Sequence, residues 1–165
     1  MKVFCNHLSF FFCAIWYHER MIKFAFTRQE KNILKGLNVE ALILFGSYAQ
    51  GLAGHLSDVD IGVLVKDVRV LKDRAKKNEL YDSLYSDVLS PLVGRTLKRL
   101  CNIDIVFLQD ELINLQLKYH VSSRGIPLYE RHTRAFADFK EYAMERYADF
   151  APLRRMFNES ILARI

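Results

Sequence analysis

The sequence predicts an α/β or α+β domain in which helices cover a small central sheet on one side. Three observations lead there. Apolar runs of strand length stand at Val39–Phe45, Val59–Val65 and Ile103–Leu108. Stretches with a helical period lie between and around them. The chain has 165 residues, 51% of them hydrophobic and 26% charged, which suits one globular domain with an ordinary core rather than a disordered chain.

Thr27-Arg28-Gln29-Glu30 is a capping box, with Thr27 as N-cap and Glu30 at N3. It opens a helix with Ile33, Leu34 and Leu37 on its apolar side, and Gly36 can end it. Val39 to Phe45 reads as a buried strand that stops at Gly46. Ser47 to Leu52 is a short helix, Gly54 to Ser57 a loop, and Val59 to Val65 a second buried strand. A helical period runs from Leu71 to Leu89, with Leu80, Leu84 and Val88 four apart. Ser90-Pro91 reads as an N-cap followed by proline at N1, so a new or kinked helix continues to about Leu100. Ile103 to Leu108 is the third strand, and a helix covers Asp110 to Ser123. Gly125 to Tyr129 is a short edge segment, because Pro127 lacks the N–H that a central strand must donate. Phe136, Phe139, Ala143, Tyr147 and Phe150 mark one face of a long C-terminal helix. The order is therefore α-β-α-β-α-β-α-(β)-α, without internal repeats or low-complexity segments.

The net charge of +5 favours an anionic ligand: a nucleotide, a nucleic acid or an acidic protein. From Lys66 to Arg99 nine basic residues face five acidic ones, a balance that fits the wet side of a helix better than a nucleic-acid patch. Direct nucleic-acid binding is not expected. Cys5, Cys13 and Cys101 have no metal-ligand spacing and read as reduced thiols of a cytoplasmic protein, Cys101 in the core. The apolar run from Leu8 to Tyr17 is about half of the ~20 residues that span a bilayer, and no small-x-small cleavage site follows it before His18. No membrane association is expected. Residues 1–20 are read as an extension upstream of a natural start at Met21, with the domain covering 21–165; an amphipathic extension that packs on a partner is the alternative.

The chemistry concentrates in three places. Gly46-Ser47 follows the first strand, Asp58-Val59-Asp60 stands ten residues later, and Asp104 interrupts the third apolar run. A Gly-Ser turn after a strand can hold phosphate with backbone N–H groups, although alone it is more often only a turn. Asp58 and Asp60 differ by two positions and so share one face of a strand. A carboxylate within an apolar strand costs free energy unless it binds a cation or accepts hydrogen bonds. Three such carboxylates repel one another, and a divalent metal is the simplest remedy.

These residues resemble the active site of the nucleotidyltransferase superfamily of DNA polymerase β, in its small minimal nucleotidyltransferase (MNT) form. The resemblance covers roughly residues 27 to 155. Gly125-Ile126-Pro127-Leu128-Tyr129-Glu130-Arg131 and the stretch through Asp149-Phe150-Ala151-Pro152-Leu153-Arg154 resemble the MNT antitoxins paired with HEPN-domain ribonuclease toxins. The resemblance implies a short mixed sheet with flanking helices, ATP as substrate, magnesium as cofactor, and transfer of AMP to a tyrosine of a HEPN toxin in a hetero-oligomer. In those terms Gly46 permits close backbone approach and Ser47 hydrogen-bonds the β- or γ-phosphate. Asp58 and Asp60 bridge two magnesium ions, and Asp104 completes the site of the ion that activates the incoming hydroxyl and takes its proton. One departure stands out: many relatives carry arginine where this chain has Gln50.

Two other functions stay open. The chain can be an antitoxin that neutralises by covering its toxin without catalysis, or a nucleotidyltransferase acting on a small molecule. His55 reads as a solvated loop residue, and Tyr119, His120 and Tyr129 as packing or surface residues.

Overall fold

The computed structural model describes residues 23–162, except the side chains of 154, 157, 158 and 160–162. The N-terminal extension and the Met21 start lie outside the described residues. Helix α1 (Arg28–Gly36) is followed by strand β1 (Val39–Phe45), the one-turn helix α2 (Gly46–Ala49) and β2 (Val59–Val65). A 3-10 turn at Val68–Lys72 leads into α3 (Arg74–Ser83), a π-helical turn at Leu84–Leu89, α4 (Ser90–Leu97) and β3 (Ile103–Phe107). Then come α5 (Leu115–Arg124), β4 (Ile126–Glu130), α6 (Ala135–Asp149) and α7 (Ala151–Leu162).

The strands form one mixed sheet in the order β3-β2-β1-β4. β1 runs antiparallel to both β2 and β4, while β2 and β3 are parallel. A parallel pair needs a crossover, and the helical segment from Arg74 to Leu97 supplies it. β4 is an edge, as Pro127 requires.

The expectation of helices on one side of the sheet does not hold. Leu42, Leu44, Val59, Ile61, Val63 and Val65 pack with Leu34, Leu80, Leu84, Val88 and Leu89 on one face. Ala41, Ile43 and Leu64 pack with Val121, Phe136, Phe139 and Ala143 on the other. The strands are apolar in both parities because both faces are covered, which is what an unalternating apolar run signifies.

The capping box forms as read. Thr27 Oγ1 accepts from the Glu30 N–H at 3.2 Å, and Glu30 Oε2 accepts from the Thr27 N–H at 2.8 Å. Helix α1 ends at Gly36, but the left-handed residue beyond it is Asn38 (φ 55°), an asparagine tolerated there.

Ser90 is not an N-cap. Its φ and ψ of −61° and −47° are helical, and its N–H reaches back five residues to the Tyr85 carbonyl. The π-helical turn just before Pro91 absorbs the missing N–H and the ring, so the helix runs on instead of restarting. Helix α5 starts later than expected: Asp110 is spent in a turn that accepts from the Leu112 N–H at 2.9 Å, and Asn114 caps the helix by accepting from Leu117 at 2.7 Å. The C-terminal helix divides at Phe150, next to Pro152. Its apolar face holds through Tyr147, whose ring stacks on Tyr119 at 3.9 Å, whereas Phe150 is exposed. Cys101 is half-buried at the margin of the core rather than within it.

Candidate functional site

Three chain directions bring the candidate residues to one end of the sheet. β1 ends there at Phe45, while β2 and β3 begin there. Phe45 pairs with Asp60 across the antiparallel ladder, and Asp60 pairs with Asp104 across the parallel one. Equal register in neighbouring strands turns side chains to the same face, so the two carboxylates stand side by side. That face is the one on which Leu64 meets α5 and α6, but the helices do not close over its end: Asp104 and Asp58 are exposed and Asp60 is half-buried.

The electrostatics agree with this placement. Burial raises the Asp60 pKa above the ordinary aspartate range, and the charges of Asp104 and Asp58 push it up further. Asp60 therefore feels both of its neighbours. The three carboxylates are grouped by register and charge rather than drawn onto one centre, since among the described residues no three His, Cys, Asp or Glu side chains converge as a ready-made cation site.

Gly46 supplies the closest approach. Its φ is +68°, and a Cβ built there would lie 1.9 Å from Asp60 Oδ2. No other residue type fits against that carboxylate without displacing it. Ser47 follows at once, half-buried, and its carbonyl accepts from the Leu52 N–H at 2.9 Å. Gly51 repeats the left-handed φ at the end of the turn.

The loop carrying Asp58 is tied down. Ser57 Oγ accepts from the Gly54 N–H at 2.9 Å, and Arg99 donates to the Gly54 carbonyl at 3.2 Å and to the Tyr48 hydroxyl. Arg124, in the last turn of α5, donates to Gln50 Oε1 at 3.5 Å. Sequence reading passed over both arginines, because these contacts join residues 45 or more apart and leave no local spacing to read. His55 is exposed in the loop, and Tyr129 is buried in the core with Phe26 nearby.

The family described as Polymerase beta, Nucleotidyltransferase matches residues 28–134, a span that holds the Gly46-Ser47 turn and all three aspartates. The chain belongs to the polymerase β nucleotidyltransferase family. It is a nucleotidyltransferase. A Methanocaldococcus jannaschii protein provisionally named protein adenylyltransferase is 34% identical over 84 residues, covering 49% of this chain and 84% of the relative. The nucleotidyltransferase fold also matches solved structures. One is a chain of a toxin–antitoxin complex with AMP-PNP, at 23% identity and a TM-score of 0.59, covering 81% of this chain and 96% of that one. Another is a chain of a Shewanella oneidensis complex of a tri-AMPylated HEPN toxin with an MNT antitoxin, at 19% identity and a TM-score of 0.50, covering 81% and 96%. At these identities the structural likeness establishes the fold. Among the described residues no helix is long and apolar enough to cross a membrane.

Proposed function

We propose that this nucleotidyltransferase is a cytoplasmic antitoxin that transfers AMP from Mg-ATP to a tyrosine hydroxyl of a HEPN-domain toxin with which it forms a hetero-oligomer. The observation that carries the reading is the meeting of Gly46, Asp60 and Asp104 at one open end of the sheet. The adenylyltransferase name of the archaeal relative and the toxin–antitoxin complexes that share the fold support the acceptor class.

The donor set suits magnesium. Asp60, whose proton affinity is raised by burial and by the charges of Asp104 and Asp58, forms with them a site of hard oxygen ligands that gains from divalent charge. Asp58 and Asp60 would hold two ions and Asp104 one of them. When bound, magnesium neutralises triphosphate charge and stabilises the developing charge at the α-phosphate. The chain supplies the rest. Gly46 brings backbone against the phosphates, Ser47 donates to the β- or γ-phosphate, and Asp104 takes the proton of the acceptor hydroxyl. The hydroxyl oxygen bonds to the α-phosphorus, the bond to the bridging oxygen breaks, and pyrophosphate leaves with the electron pair. Exposure of Asp58 and Asp104 leaves room for a protein surface to present that hydroxyl.

A second reading, neutralisation by covering alone, is favoured by the exposed apolar side chains of Phe150, Leu153 and Met156 near the C-terminus. Label position separates the two. With a HEPN-domain partner and magnesium, ATP labelled at the α-phosphate should label the partner, ATP labelled at the γ-phosphate should not, and Asp104→Asn should abolish labelling. An unlabelled partner that is nevertheless silenced leaves covering as the function.

A further inference from the structure

A nucleoside triphosphate brings several negative charges to an end of the sheet that already holds three carboxylates, and the turn Gly46-Ser47-Tyr48-Ala49-Gln50-Gly51 contains no basic residue. Two guanidinium groups flank that turn from other elements. Arg99 is engaged by the Tyr48 hydroxyl and the Gly54 carbonyl. Arg124 is differently placed.

We infer that Arg124 is a phosphate-binding residue of this site, its guanidinium engaging the β- and γ-phosphates from beside Gln50. The inference rests on the proposed use of a nucleoside triphosphate. Register fixes the position: Leu44 of β1 pairs with Ile126 of β4, so the residues just before Ile126 come alongside Phe45 and Gly46. The end of α5 is packed tightly against β1. A Cβ at Gly125 would lie 2.6 Å from Ile43 Cγ2 and 2.4 Å from the Val121 carbonyl oxygen. Val121 is fully buried, and the Tyr119–Tyr147 stack holds the same helix at its middle. Arg124 thus projects from a fixed backbone onto the turn. Its contact with Gln50 Oε1, at 3.5 Å, is long, uses one of five guanidinium donors and leaves the side chain exposed. The planar fork can therefore grip two phosphate oxygens while Gln50 steers it. A neutral residue in the turn and an arginine across from it divide between two elements the task of one basic side chain.

An arginine in the last turn of a helix can instead serve only the helix dipole, and that role would not distinguish phosphates by number. The test is to measure binding of ATP and of AMP, with magnesium, to the unaltered chain, Arg124→Ala, Arg124→Lys and Arg124→Ala/Gln50→Arg, with a melting curve for each. Arg124→Ala should weaken ATP about 10- to 100-fold, the scale of a lost charge-assisted pair, and AMP by less than about twofold. Lysine should recover part of the loss, and arginine at position 50 should recover more. Equal effects on ATP and AMP, or unchanged ATP binding in Arg124→Ala, would overturn the inference while leaving the nucleotidyltransferase reading in place. Failure of the unaltered chain to bind ATP would instead remove the ground beneath both.

Discussion

Asp60 and Asp110 stand at opposite ends of the same sheet and show two uses of one side chain. Asp60, near the start of β2, faces Asp104 and Asp58, and burial together with their charges raises its pKa. Asp110, just past the end of β3, pairs with Lys77 and accepts from the Leu112 N–H, and the Lys77 hydrogen bond leads the effects that hold its pKa below the ordinary range. Glu30 resembles Asp110: burial pushes its pKa up, but the Thr27 N–H and Arg95 outweigh that and leave it lowered. Satisfied carboxylates hold the fold together. The cluster at the other end, which has no cationic partner among the described residues, opposes folding slightly through Asp60, and in the proposed function it serves the chemistry.

The largest effect that can break this comparison comes from Asp60→Asn. Transfer should fall by about 10²- to 10³-fold or more, the scale for losing a preorganised charge at a reacting phosphate. Stability should move the other way. Because the folded-state pKa of Asp60 is raised, the native state binds its proton more readily than the unfolded chain, and stability is lost as pH rises through the carboxylate range. Asparagine never ionises, so at neutral pH without divalent metal the variant should melt on the order of 2–4 °C higher. A variant that melts lower would show that the Asp60 charge is structurally satisfied and that the contrast is false.

Asp110→Asn should reverse the sign of the stability change and of its pH dependence. The lowered pKa means that Asp110 stabilises the fold above the unfolded-state value and that this is lost as pH falls through the folded-state one. Removing the charge opposite Lys77 should cost about 1–3 kcal/mol and flatten the acid side of the stability profile, while leaving transfer unchanged. A chemical-denaturation series from neutral to acidic pH reads this directly. The smallest effect belongs to Tyr129, whose buried hydroxyl has no hydrogen-bond partner among the described residues. Tyr129→Phe should leave stability level or raise it by about 0.5–1 kcal/mol; a loss above that size would mean that the hydroxyl is bonded in solution.

The comparison also marks what could be read in the chain. Three strands announced themselves as apolar runs, but the expectation of one-sided cover overlooked that β1 is apolar at Leu42 and Leu44 as well as at Ala41 and Ile43, the mark of a strand buried on both faces. Parity could be read only for Asp58 with Asp60; Asp104 could be read only as a carboxylate within an apolar run, and the parallel register is what sets it beside Asp60. Helix ends were less legible because each depends on where a particular backbone group finds a partner. Asp110 reads as a helix start until its carboxylate turns to Lys77 and Leu112. Ser90-Pro91 reads as the start of a new helix or as a kink, and a π-helical turn just before Pro91 decides for continuation. Arg99 and Arg124 were illegible, because the backbone places them at the site from elsewhere in the chain.

The central claim is that the carboxylate cluster at the Gly46 end of the sheet moves AMP onto a protein. The most direct measurement is the intact mass of a HEPN-domain partner after incubation with this chain, ATP and magnesium, read beside the partner's toxicity. The partner should gain mass in AMP-sized steps and lose toxicity together, and both changes should vanish with Asp60→Asn but persist with Asp110→Asn. A partner of unchanged mass that is silenced equally well by Asp60→Asn would contradict the account.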